Sequence, residues 1–350
     1  MFQSAGFFRI FQPLSLGGLE LPAATLFRLE IALAEADMSA AWVLSNMCVA
    51  AFHVALFDLR AQTDIWGADP DAILSSANMP GGRLSLQDDD TYLLSGRWRF
   101  SSGVKHADWV VLGALAQRGA EPLAGACLVP CSDFTLVDDW NVAGLCGTGS
   151  HAIIVQKAVV PRYRFLSHVA RFNGTAAGLN VNQGSLYRIP LPQLLFRSIS
   201  SASIGGLKGM LNEFLESNSN RTSMMAQKIA DDPHVQELCG RVSADLHALQ
   251  AGMEHDLAIM TADGNANDKA NLLMRRNIRL NVTRICDICF GHAADLLRAA
   301  GASALYRGNR LLIFFNDMLA ARQHAANQYE LHARNDGAVL FDKEREDMLL

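Results

Sequence analysis

The chain has 350 residues, half of them hydrophobic, with seven cysteines and a formal net charge of −5, enough apolar material for one large core or two to three packed sub-domains without disulfides. Basic residues are scattered rather than blocked, which argues against a nucleic-acid or membrane-coating surface. An odd, widely spread cysteine set, a start (Met1 to Pro13) without a secretory h-region, and no apolar run of spanning length make a cytoplasmic protein the expectation.

Residues 1–72 read as an N-terminal helical part: from Ala23 to Phe57 the sequence is rich in Ala, Leu and Met and predicts two helices interrupted near Asp37-Met38-Ser39, with Ser39 capping the second. Residues 73–166 change to short apolar runs, Trp109 to Leu112, Ala126 to Val129 and Ile153 to Val155. Turn clusters at Pro80-Gly81-Gly82, Asp88-Asp89-Asp90 and Gly147 to Ser150 separate them, the pattern of a small antiparallel β domain. Residues 167–192, rich in Gly, Asn and Ser, read as a long connecting loop of the kind that often carries function. Residues 193–335 predict an antiparallel helical bundle, with segments near Ser198 to Asn218, Pro233 to Ala262, Ala266 to Ala300 and Arg307 to His332. Residues 336–350 form a tail.

Two stretches stand out chemically. In Ser95 to Trp109, paired hydroxyls (Ser101, Ser102) beside Gly103 let donors approach a planar heteroaromatic ring, with Trp98 or Phe100 to cover its face; an ordinary hairpin whose serines satisfy their own backbone fits equally well. In Trp140 to Ser150, three glycines surround Thr148 and Ser150 and can bring N–H groups to a phosphate or ring edge, although a plain tight turn remains open and the order is not G-x-G-x-x-G. Cys286 and Cys289 lie in an apolar helical run with no second pair, so they read as core and no metal site is expected.

Taken together and in order, Gly96 to Gly103 with His106 to Trp109, Gly144 to Ser150, and Val160 to Ser167 resemble the oxygenase components of group D two-component flavin monooxygenases. Gly6-Phe7-Phe8, Trp66 to Pro70, Gly301 to Leu305 and His324 to Asn327 extend the resemblance over nearly the whole chain. It implies an α+β, acyl-CoA dehydrogenase-like fold: N-terminal helices, here shortened because the chain starts close to Gly6-Phe7-Phe8, a central antiparallel β-barrel and a C-terminal four-helix bundle that forms homotetramers. It further implies reduced flavin (FMNH2 or FADH2) supplied by a separate NAD(P)H-dependent flavin reductase, O2 as co-substrate, a C4a-hydroperoxyflavin, and hydroxylation of a small aromatic, phenolic or polycyclic, substrate.

By the same resemblance Ser101 is the serine that hydrogen-bonds flavin N5, with Ser102 as the fallback. Trp98, Phe100, Gly103, Thr148, Ser150 and Arg221 belong to the flavin site, Arg221 toward a phosphate and on behalf of a neighbouring subunit. His324, on the last bundle helix, is the catalytic base for the phenol and is expected to titrate near neutrality. Ser76 contacts substrate. Ala50 stands where the phenol hydroxylases carry a substrate-side histidine, with His53 one helical turn further along the same face. Asn316-Asp317 replaces a frequent Arg-Asp, which weakens a flavin or subunit contact. The Ala50 departure leaves nitrogen or sulfur oxygenation open. An acyl-CoA dehydrogenase needs a carboxylate base where this chain reads Tyr306-Arg307-Gly308-Asn309, and Arg307 cannot serve. A non-catalytic protein on the same fold is the remaining alternative.

Overall fold

The structure, a computed structural model, describes residues 2–87, 90–118, 121–222, 226–262 and 269–343. Asp88-Asp89, residues 266–268 and 344–350 of the expected turn, helix and tail lie outside the described residues.

Helix α1 (Ala23–Ala34) buries Leu26, Phe27, Glu30 and Ile31 at helical spacing. Helix α2 (Met38–Ala55) is capped by Asp37, whose carboxylate accepts the Ala40 N–H at 2.9 Å. Ser39, the expected cap, instead lies inside the first turn, because Asp37 already has the extended backbone a cap requires. Of the 18 residues of α2, 83% are buried inside the protein, so its length and apolar character belong to a central core helix. Helix α3 (Leu59–Trp66) follows, capped by Asp58.

Among the described residues seven strands form one sheet: β1 (Leu74–Leu86), β2 (Thr91–Trp98), β3 (Trp109–Arg118), β4 (Glu121–Pro130), β5 (Phe134–Val137), β6 (Ala152–Pro161) and β7 (Phe165–Ser167), in the order β5-β6-β2-β1-β3-β4-β7. This corrects two expectations. The row ends at β5 and β7, short edge strands, and is not a closed barrel. The sheet is also mixed, since β1 and β3 are parallel, with Leu74 opposite Trp109. The parallel pair arises because residues 99–108 leave the end of β2 and cross beneath the start of β1 before β3 begins, and that crossing carries Ser101-Ser102-Gly103 under Ser75.

Pro80-Gly81-Gly82 is not a turn. It sits inside β1, where the register with β3 shifts between Ala77 and Gly82. Gly82 faces Gly96 across the β1–β2 pair, and the space left by their missing Cβ atoms is filled by the Trp98 indole. Glycine is needed at these positions for close approach rather than for chain reversal.

The expected loop 167–192 is a packed segment. It holds α4 (His168–Phe172), and Asn182 donates to Ala55 O at 2.8 Å and to Gln62 Oε1 at 3.0 Å. The bundle comprises α5 (Leu191–Ser198), α6 (Ser201–Asn218), α7 (Pro233–Ala262), α8 (Lys269–Ala300), α9 (Arg310–Arg322) and α10 (Tyr329–Leu340). Its core includes the buried ion pair Arg197–Asp256 at 2.9 Å and the fully buried thiols of Cys286 and Cys289. The single helix expected over Arg307 to His332 is broken: α9 stops at Arg322 and a 3-10 turn, Ala325–Asn327, intervenes before α10. Helix α10 also crosses the expected boundary between bundle and tail at residue 335.

Candidate active site

The crossing segment under β1 builds a ladder of hydroxyls. Ser75 Oγ donates to Ser102 O at 2.8 Å, so its contact with Ser101 Oγ at 2.9 Å takes its proton from Ser101. Trp42 Nε1, on α2, donates to Ser102 Oγ at 3.1 Å. Ser102 Oγ meets Ser150 Oγ at 2.9 Å, Ser150 meets Thr148 Oγ1 at 2.7 Å, and Thr148 donates to Leu145 O at 2.8 Å. The two expected loops are therefore one unit, locked further by Gly103 N–H to Thr148 O at 2.8 Å. Phe100 (φ 65°), Gly103 (φ 72°), Leu145 (φ 52°) and Gly149 (φ 52°) all hold left-handed backbone. At Gly103 the left-handed backbone favours glycine, and an added Cβ would press on Met47 and Val43 of α2.

The loop 144–150 is pinned to the bundle by Asp317 of α9, whose carboxylate accepts the Leu145 N–H at 2.6 Å. Burial pushes the Asp317 carboxyl up to about 6 despite that bond. Asp317 of the Asn316-Asp317 pair thus supplies an anchor within the chain.

His324 does not lie on a bundle helix. It is the cap of the 3-10 turn after α9, and its Nδ1 accepts the Ala326 N–H at 3.2 Å. Its ring packs edge-on to Trp42, with centroids 5.8 Å apart. Desolvation pulls its pKa down to about 4, which corrects the expectation of a group titrating near neutrality. At pH 7 the imidazole is neutral, and with Nδ1 occupied as an acceptor the proton resides on Nε2. His324 therefore presents a donor.

Two other assignments change. Trp98 is 2% exposed within the sheet core and donates to Gly113 O at 2.7 Å, so it cannot cover a bound ring. Ser101 is 0% exposed, facing Ser75 and Ser76, whereas Ser102 is partly exposed. The fallback serine, not Ser101, has a face a ligand can touch. Phe100 is 59% exposed and packs against Trp140, so it remains available as a cover. Ser76 lies beside Ser101, its hydroxyl accepting from Asn78 at 3.4 Å. Ala50 is buried and apolar, and His53 is buried beside Phe57 with Nε2 unbonded.

Arg221 lies apart from these groups. Its guanidinium caps the end of α8 at Ala300 O and contacts Asn218 at 3.1 Å. That is the Arg310 end of α9, a helix length of roughly 20 Å from His324. Trp42, Ser75 and Asn78 went unnoticed in the sequence. Trp42 had a signal, because it stands two helical turns before Ala50 on the same face; Ser75 and Asn78 had none, since only the crossing under β1 brings them in. At Tyr306 to Asn309 the structure shows an exposed Tyr306 and an Asn309 that caps α9, with no carboxylate for α-proton removal.

The chain is 33% identical to the flavin-dependent monooxygenase oxygenase subunit HsaA of Mycobacterium tuberculosis (strain CDC 1551 / Oshkosh) over 337 residues, covering 93% of this chain and 83% of the relative. It belongs to the oxygenase components of flavin-dependent monooxygenases. The crystal structure of the HsaA monooxygenase from M. tuberculosis superposes with a TM-score of 0.91 at 31% identity, covering 99% of this chain and 90% of that one. Another relative of this oxygenase is the FADH(2)-dependent resorcinol hydroxylase oxygenase component of Rhizobium sp. (strain MTP-10005), 29% identical over 72% of this chain and 64% of its own. The family model for the acyl-CoA dehydrogenase C-terminal domain matches residues 198–329, the bundle. The uncharged hydroxyl ladder, the αL-rich loops and the neighbouring indole of this oxygenase fit the edge of a flavin ring, which needs donors without added charge.

Proposed function

We propose that this oxygenase component hydroxylates a small aromatic, phenolic or polycyclic, substrate, using FMNH2 or FADH2 delivered by a separate NAD(P)H-dependent reductase, and O2. The observation that carries the reading is the Trp42 indole, which touches both the Ser102 hydroxyl and the His324 ring and so joins the flavin-side and substrate-side groups in one cluster of uncharged side chains. When bound, reduced flavin supplies the activation of O2 and the oxygen atom that is transferred.

The chain's own residues do the rest. Ser102 turns its proton from Ser150 to the ring edge and strands no donor in doing so, since Ser150 loses only an acceptor contact. Thr148, Ser150 and Gly103 hold Ser102 in place, and Phe100 closes the open side. His324 offers Nε2–H to the substrate's phenolic oxygen and so orients the ring, while Ser76 and the apolar Ala50 border it. Desolvation by α2 and the loop 144–150 excludes the water that would waste reduced flavin as H2O2.

The test is stopped-flow reoxidation of reduced FMN and FAD with peroxide quantified. The expected result is slower reoxidation, with less H2O2, than in free solution. Rates and peroxide yields equal to those of free flavin would remove the oxygenase reading.

A second reading, oxygenation of nitrogen or sulfur, draws on the buried Ala50, which leaves His324 as the substrate-side imidazole. The proposal also includes a cytoplasmic location, where NAD(P)H is regenerated, and a homotetramer. Arg221 sits at the far end of α9 from His324, so its role at a phosphate is assigned to the flavin of a second chain. Light scattering after size-exclusion chromatography is expected to give about four times the chain mass; a monomer at micromolar concentration would dismiss the Arg221 role.

A further inference from the structure

We propose that the cleft lined by Arg171 is an anion-binding subsite, and that the aromatic substrate carries a carboxylate held there by the Arg171 guanidinium. This rests on the oxygenase reading above and names the class of its substrate.

The cleft is walled by Leu56, Phe172 and Tyr187, with Arg171, Arg188 and Arg275 among its lining residues and no Asp or Glu. Arg171 lies on α4, directly after β7. Among the described residues no carboxylate pairs with it, and desolvation lowers its pKa to about 10. Arg171 is partly buried, and a guanidinium partly withdrawn from water without a counter-charge carries a desolvation cost that a ligand carboxylate accepting two parallel N–H bonds offsets.

Behind Arg171 the polarity continues inward. His53 is 2% exposed, and its Nε2 has no hydrogen-bond partner. Burial, then the charges of Arg171 and His168, hold it well below its ordinary pKa, and Asn78 faces it. Asn78 Oδ1 is likewise buried without a partner, while its amide donates to Ser76 Oγ at 3.4 Å. Ser76 O in turn meets Ser101 Oγ at 3.4 Å. Unsatisfied or weakly satisfied polar atoms thus follow one another from the hydroxyl ladder, through Ser76, Asn78 and His53, toward Arg171, which lines the cleft. A ring with its hydroxyl at His324 and an acidic side chain directed along these atoms satisfies both ends. His53 Nε2 and Asn78 Oδ1, buried without a hydrogen-bond partner, then have ligand atoms to meet.

The test is isothermal titration of the full chain, without flavin or O2, using para-hydroxyphenylpropionate and its uncharged amide. Wild type is expected to prefer the acid by about ten- to a hundredfold. Arg171→Gln is expected to weaken the acid alone, bringing the two ligands within about twofold of each other, and Arg171→Lys to narrow the preference partially because it keeps charge but loses the fork. If Arg171→Gln does not fold, as judged by circular dichroism, the lysine variant carries the test, and an unchanged preference there overturns the proposal. Equal wild-type affinities, no binding at millimolar ligand, or a preference that survives Arg171→Gln would each overturn it too. A parallel titration with FMN and riboflavin separates the other source of an anion. If Arg171→Gln erases a preference for FMN while the acid preference stands, the site belongs to the flavin phosphate and the proposal fails. Because no flavin chemistry enters the main measurement, a failed oxygenase reading and a failed carboxylate subsite give different results.

Discussion

Ser102→Ala is expected to raise the fraction of reduced flavin lost as H2O2 by about tenfold, the effect of removing one donor from a desolvated ring edge. Ser101→Ala is expected to leave that fraction nearly unchanged. The reason is geometric: Ser101 is fully buried against Ser75, while Ser102 is partly exposed and is positioned by Trp42 and Ser150. Ser101→Ala should instead lower stability by about 1 kcal/mol, since it deletes a buried hydrogen bond while Ser75 keeps Ser102 O as its acceptor. Peroxide yield and thermal midpoint, measured on both variants, separate the two roles. The opposite ordering of peroxide yields returns the flavin-side role to Ser101.

His324→Ala is expected to lower product formed per O2 consumed by about a hundredfold while flavin reoxidation remains protected, and His324→Gln, whose amide can donate, to recover a substantial part. The pH profile distinguishes a donor from a base. The folded pKa of about 4 lies below the ordinary value of 6.5 because burial disfavours the charged ring. His324 is therefore neutral with Nε2–H from about pH 5 upward, and coupling should fall only as pH drops through roughly 4 to 5 and the ring gains a second proton. Folding stability follows the same sign: a depressed histidine pKa favours the fold above 6.5, and that contribution is lost between 6.5 and 4 as the unfolded chain takes up the proton first. An inflection in coupling near pH 6.5 that disappears in His324→Gln would reinstate the general base.

The family and the two loops were legible because they depend on local sequence. Gly103 must adopt left-handed backbone beside α2, and the Gly144 to Ser150 loop carries its αL positions in the residues themselves. Helix and strand periodicity located α1, α2, α6, β3, β4 and β6 for the same reason. Errors came where a long-range partner overrode the local signal. Pro80-Gly81-Gly82 looks like a turn until Trp98 occupies the space beside it, and Arg307 to His332 looks like one helix until Asn327 bonds Ala321 O and Ile199 O at 2.8 and 3.0 Å.

Residue type and order by themselves determined which chemistry is available: serine and threonine hydroxyls in two glycine-bearing loops, an imidazole before Ala325, and no carboxylate where a dehydrogenase base would stand. Which hydroxyl faces a ligand, which proton His324 carries, and that Trp42, Asn78 and Arg171 belong near the site were decided only by tertiary structure. Burial and hydrogen-bond direction are properties of a residue's surroundings, and those surroundings come together only when the segment after β2 passes beneath β1 and α2 closes over it.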